Sequence, residues 1–119
     1  VDSAGTSDWH LNKAPDTRTR LAAQRRGYDM SALRGRQVCA EDFARFDLIL
    51  AMDGNNLAEL QALQPAGARA ELDLYLRRYQ LAPEEMPDPY YGGEEGFEQV
   101  LDLSEQAAIC LLAEVRSRL

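Results

Sequence analysis

Apolar positions fall into three kinds of pattern along the chain. From Glu94 onward, Phe97, Val100, Leu101, Ala108, Leu111, Leu112 and Val115 recur at spacings of three and four. That period predicts a long amphipathic helix closing the chain, with those residues on its inner face. Glu94 and Glu95 suit the positive end of its dipole, and Arg116 and Arg118 the negative end. In the middle of the chain, Asp47-Leu48-Ile49-Leu50-Ala51-Met52 carries a continuous apolar run, which predicts a central strand buried on both faces. Leu72, Leu74 and Leu76 alternate with Asp73 and Tyr75, the two-residue period of a further strand near Glu71. The opening Val1-Asp2-Ser3-Ala4 reads as a short strand ending at Gly5-Thr6.

The polar residues between these runs supply starts and stops. Asp16 is placed to cap a helix through about Arg26, with Leu21 and Ala22 on its inner face and Gly27 as the stop. Asp42 to Phe46 reads as a helical turn, and Asp53-Gly54-Asn55-Asn56 as a turn into a helix over Leu57 to Leu63 that Pro65 terminates. Strands alternating with helices predict an α/β fold with a parallel sheet, and such sheets place ligands at the carboxyl ends of their strands. A length of 119 residues predicts one domain, 1–119.

Charge and cysteine content narrow the partners. The net charge of −7 argues against a nucleic-acid binder, which would show a basic face. No run approaches the roughly eighteen apolar residues that span a bilayer, and no charged-then-apolar leader opens the chain, so no membrane and a cytoplasmic location are expected. Eight basic and four acidic residues lie between Lys13 and Arg45, against two and ten between Glu71 and Glu105. This asymmetry either steers a phosphorylated ligand toward the first half or reflects two differently charged solvated faces. Cys39 and Cys110 make no disulfide framework.

The candidate chemistry centres on Pro87-Asp88-Pro89-Tyr90-Tyr91-Gly92-Gly93. Each proline fixes its own φ and restricts the residue before it, so Asp88 is held in a loop beside aromatic rings. That setting suits proton transfer to the oxygen of an aromatic leaving group; a solvated turn acid has the same composition. Cys39 to Arg45 has the spacing Cys-x5-Arg, yet it lacks glycine and carries Glu41 and Asp42 where a phosphate cradle needs bare amides. Cys110 falls on the inner face of the last helix as a small hydrophobe, and His10 follows Trp9 with no evident partner.

Taken together, the chain resembles the low-molecular-weight protein tyrosine phosphatases. The matching pieces are Val1-Asp2-Ser3-Ala4-Gly5-Thr6 with Trp9, Pro15-Asp16-Thr17-Arg18, Arg36-Gln37, Asp42-Phe43 with Phe46 to Asp53 and Asn56, and Asp88 to Gly93 with Gly96-Phe97. The resemblance implies a three-layer fold, with a short parallel sheet flanked by helices. It implies phosphotyrosine hydrolysis through a phosphocysteine intermediate, on a phosphotyrosine protein or small aryl phosphate, with no metal or cofactor. Asp88 maps to the general acid, Trp9 with Tyr90 and Tyr91 to the walls of the substrate cleft, and Ser3 to the serine that supports the phosphate loop. Tyr90 and Tyr91 also match tyrosines that some members phosphorylate.

The family's Cys-x5-Arg-Ser loop, with its first strand and first helix, has no counterpart in these 119 residues, so the chain is expected to supply the acid without the nucleophile and to be inactive alone. In the family that first strand lies between the Val1 and Leu48 strands, so here the two pair directly, another chain fills the gap through self-association, or further residues fill it. Leu33 stands where bacterial members carry a histidine that ties down the loop. Two other readings remain: a noncatalytic, degenerate phosphatase that binds a protein, and an arsenate reductase of the same fold, for which only Cys39 and Cys110 could relay a disulfide.

Overall fold

Aspartates cap two of the helices, one early in the chain and one directly after the first strand. The protein was studied as a computed structural model that describes residues 2–7, 11–88 and 93–118. The Asp16 carboxylate accepts the N–H of Arg18 at 2.9 Å and of Thr19 at 3.3 Å, opening α1, Thr17–Gln24. These bonds satisfy amides that the first helical turn leaves unpaired. The chain leaves α1 through Gly27 at φ +89°, a conformation that glycine adopts without a Cβ penalty. The helix ends two residues short of Arg26, and its buried residues are Ala22 and Ala23, while Leu21 is 48% exposed. The expected inner position of Leu21 is thereby corrected. Arg18, Ala22 and Arg26 form the i, i+4, i+8 stripe that meets the last helix, and Leu21 lies to its side.

A short helix, α2 (Asp42–Arg45), leads into β1, Leu48–Ala51. Next, α3 (Gly54–Leu63) carries the chain to β2, Glu71–Leu74, which pairs parallel to β1 in a register running from Leu48↔Glu71 to Ala51↔Leu74. Asp53 caps α3 by accepting Asn56 N–H at 2.7 Å. The residues expected to form a turn before α3 are therefore its first turn. Phe43, Ala51, Leu60, Ala70 and Leu74 form the core under this unit, with Ile49, Leu57 and Leu72 packed against it.

Two strand expectations are corrected. Among the described residues β1 has β2 on one edge and no strand on the other, and only Ala51 of β1 is fully buried, so it is not a central strand here. Asp2 to Ala4 form no strand: Gly5 makes a single parallel bridge to Gln37, donating to Arg36 O at 2.7 Å and accepting from Val38 N–H at 2.8 Å. The opening segment pairs with residues 36–38 rather than with β1; Val1 lies outside the described residues.

Beyond β2, Tyr75–Arg78 form α4. Leu76, whose alternation with Leu74 suggested a strand, is a helical residue with 0% exposure, packed against Leu103 and Ala107. The partners of Leu76 lie on the closing helix α5, Glu94–Ser117. That helix buries Phe97, Leu103 and Ala107 and leaves Val100, Leu101 and Leu111 half-buried. Ala108, Leu112 and Val115, expected inside, are exposed. The face of α5 in use is set by α1 on one side and α4 on the other. Arg18 lies 4.9 Å over the Phe97 ring, and Arg26 pairs with Glu98, with Asp102 at 2.9 Å and with Glu105 at 3.0 Å. At the far end, Arg78 pairs with Glu71, Asp73 and Glu114.

Candidate active site

The carboxyl end of β1 is where the remaining chemistry gathers. Met52 and Asp53 follow the strand, and α3 begins at once, so its N-terminal amides face the same rim as the strand end. The segment 5–7 reaches this rim through Asn56, whose Nδ2 donates to Thr6 Oγ1 at 3.4 Å. A third segment arrives from α4. Leu81 N–H donates to Leu76 O at 3.0 Å, and both Leu81 and Met86 pack on the Leu76 cluster. Met86 N–H then donates to Met52 O at 2.7 Å, and the Glu85 carboxylate accepts the N–H of Gly54.

Asp88 follows two residues beyond Met86 and is exposed. Ser3 is exposed on the opening segment, its N–H donating to Asp2 Oδ1 at 2.8 Å. That segment is tied down by Arg36, which pairs with Asp2 at 3.3 Å and with the buried Asp42 at 3.0 Å. Trp9, Tyr90 and Tyr91, together with His10, lie outside the described residues. Leu33 is half exposed. The structure thus brings together the end of β1, Thr6, the start of α3 and the loop that carries Asp88. Met52, Gly54 and Glu85 were not singled out from the sequence. No local signal marks Glu85, because its partner is 31 residues away.

Cys39 does not have the surroundings of a nucleophile. Its thiol is pushed up by its hydrogen bond to Glu41, then by burial and by Asp42, whereas a reactive cysteine needs a lowered pKa. Burial pushes the Asp42 carboxyl up, but bonds from Arg36 and from Cys39 N–H at 2.9 Å hold it below the usual range. Arg45, the formal end of the Cys-x5-Arg spacing, lies 5.4 Å over the ring of Phe46. Cys110 is half-buried on α5. Among the described residues, no group of three or more His, Cys, Asp or Glu side chains could hold a metal ion, and no helix is long and apolar enough to cross a membrane. A cavity of about 580 Å³ runs along α1 and is lined by Thr17, Arg20, Leu21, Gln24 and Tyr28; none of the residues named above as site candidates lines it.

Comparison with known proteins places this geometry. The family model described as low molecular weight phosphotyrosine protein phosphatase matches residues 1–119. A Synechocystis protein provisionally named as a low molecular weight protein-tyrosine-phosphatase is 45% identical over 120 residues, covering 99% of this chain and 76% of the relative. The low molecular weight protein-tyrosine-phosphatase of Streptomyces coelicolor is 38% identical over 122 residues, covering 99% and 74%. In structure, a protein tyrosine phosphatase from Entamoeba histolytica superposes with a TM-score of 0.89 at 36% identity, covering 98% of this chain and 74% of that one. The chain spans about three quarters of the length of these proteins.

Proposed function

Since this chain belongs to the low molecular weight phosphotyrosine protein phosphatase family, we propose that it serves the hydrolysis of aryl phosphate monoesters, either phosphotyrosine in a protein or a small aryl phosphate. Residues 1–119 act as a single domain, in the cytoplasm. Asp88 is the general acid, Trp9, Tyr90 and Tyr91 flank the aromatic ring, and Ser3 supports the loop that holds the phosphate. A thiolate attacks phosphorus, forming the P–S bond as the P–O bond to the aryl group breaks, and Asp88 gives its proton to the departing phenolate oxygen. Water then attacks the phosphocysteine, passing a proton back to Asp88 and returning the thiolate with free phosphate.

The observation that carries this reading is an exposed carboxyl group on a loop bonded to the carboxyl end of a parallel strand, where α3 and Thr6 also meet. This is where α/β sheets hold ligands. Within these 119 residues the acid lacks its nucleophile. The raised thiol pKa of Cys39 beside Glu41 and Asp42 opposes a role in attack, so the residues turn over little by themselves. Among the described residues β1 has one open edge, which offers a strand position to a second copy or to further chain.

The test compares two proteins with p-nitrophenyl phosphate: the 119 residues alone, and the same residues joined to a Cys-x5-Arg-Ser segment from a relative. Turnover is expected only from the second, and Asp88→Asn should lower it about 10²–10⁴-fold, the usual worth of a general acid. Turnover by the 119 residues that vanishes on Asp88→Ala would place the nucleophile among them. An Asp88→Asn variant as fast as its parent would remove the acid assignment.

A further inference from the structure

The segment that delivers Asp88 is held by more than its prolines. Gly54 is the first residue of α3, a ten-residue helix, and its N–H is one of the amides that the first turn leaves without an internal acceptor. Asp53 caps the helix through Asn56 N–H. The Gly54 N–H is taken by the carboxylate of Glu85. An anionic acceptor at a helix N-terminus gains both a charge-assisted bond and the favourable end of the helix dipole. A Cβ at Gly54 would lie 3.0 Å from Glu85 Oε1, so the carboxylate sits close against the backbone there and would have to give by a few tenths of an ångström to any side chain.

One residue further along, Met86 N–H donates to Met52 O at 2.7 Å, and the Met86 side chain packs on the Leu76 cluster. Consecutive residues 85 and 86 therefore clasp consecutive features of the site rim, the end of β1 and the start of α3. Pro87 adds a fixed φ, and Asp88 comes next. Few freely rotating bonds remain between the clasp and the acid.

We propose that Glu85 is a positioning residue: its carboxylate, clamped on the N-terminus of α3, sets where Asp88 stands for proton transfer to the aryl oxygen. The role rests on Asp88 being the general acid. Displacement of a reacting group by about 1 Å can cost up to about a hundredfold in rate. Glu85 is solvent-exposed, and a second clasp at Met86 persists without it, so the loss on removing its charge is about tenfold.

Two measurements test this. In the enzyme at its full natural length, the Gly54 amide proton is followed by nuclear magnetic resonance at pH 7. A downfield resonance that exchanges slowly with solvent is expected; Glu85→Gln should move it upfield and speed its exchange, and Glu85→Asp should restore part of both. In the enzyme at its full natural length, Glu85→Gln should lower kcat/KM for phenyl phosphate about tenfold, and clearly less for p-nitrophenyl phosphate, whose leaving group needs less proton assistance. Glu84→Gln should cause no such selective loss, and Glu85→Gln should add nothing in an Asp88→Asn background.

A Gly54 shift unchanged by Glu85→Gln overturns the clamp. Equal losses for both substrates, or a full further loss in the Asp88→Asn background, overturn the positioning role. An Asp88→Asn change without cost overturns the acid assignment and the role that rests on it; it is distinguishable because the clamp is then still seen at Gly54.

Discussion

Cys39 and Arg45 have the separation of a phosphate-loop cysteine and arginine, and their environments show why spacing alone carries no chemistry. Glu41 and Asp42 raise the thiol pKa, and the Arg45 guanidinium is drawn to the ring of Phe46. At pH 7.5 Cys39 should therefore react with iodoacetamide more slowly than an ordinary exposed cysteine. Because Glu41 is the largest cause of the rise, Glu41→Gln should speed alkylation severalfold, as measured by mass spectrometry of the modified peptide. An unchanged rate would show that Glu41 does not govern the thiol. The sequence supplied this much, since two acids beside a cysteine oppose its ionisation wherever the chain places them.

At the scale of elements, local signals and packing can be separated experimentally. Asp16 caps α1 through two amides, and Asp16→Ala should cost about 1 kcal/mol, read as a lower denaturation midpoint with an unchanged slope. Such caps are legible because donor and acceptor lie within three residues of each other. The apolar stripe of α5 was less legible. Periodicity identified the helix but made its inner face too wide, since an apolar residue at the right spacing looks the same whether or not a neighbour covers it. Leu76→Ala, which empties a site with no exposure between α4 and α5, should cost about 2–5 kcal/mol. Leu112→Ala, at 51% exposure on the opposite side of α5, should change stability by less than about 0.5 kcal/mol. Comparable losses in urea titrations would contradict this assignment of faces.

At the scale of the whole molecule, one ion cluster joins β2, α4 and the end of α5. Arg78 binds Glu71, Asp73 and Glu114; Tyr79 donates its hydroxyl to Glu114 at 2.8 Å, and Arg118 reaches the same carboxylate at 2.8 Å. Arg78 and then Tyr79 hold the Glu114 carboxyl down to about 2, against 4.5 for the unperturbed group. A folded pKa below the unfolded one stabilises the fold at pH above about 4.5 and is lost as pH falls toward 2. Tyr79 is pushed up to about 12 by burial and by Glu114, so its contribution is lost as pH rises from 10 toward 12. Glu114→Gln should lower stability at pH 7 by about 1–2 kcal/mol, allowing for partial exposure of the cluster. It should also flatten the fall in melting temperature between pH 4.5 and 2. A parallel acid limb in the variant would dissociate Glu114 from that transition.

The sequence alone determined the helix capped by Asp16, the two parallel strands, the motif order shared with the phosphatase family and the placing of Asp88 between prolines, because each depends on neighbours in the chain or on the order of segments. Tertiary structure decided which face of α5 is buried, that Leu76 is helical, that β1 has one open edge among the described residues and that Glu85 meets Gly54. These are relations between segments brought together only by folding. Hydrophobic patterning records that a residue prefers burial; the partner that buries it, and the loop thereby held at the site, are set by the geometry of the assembled chain.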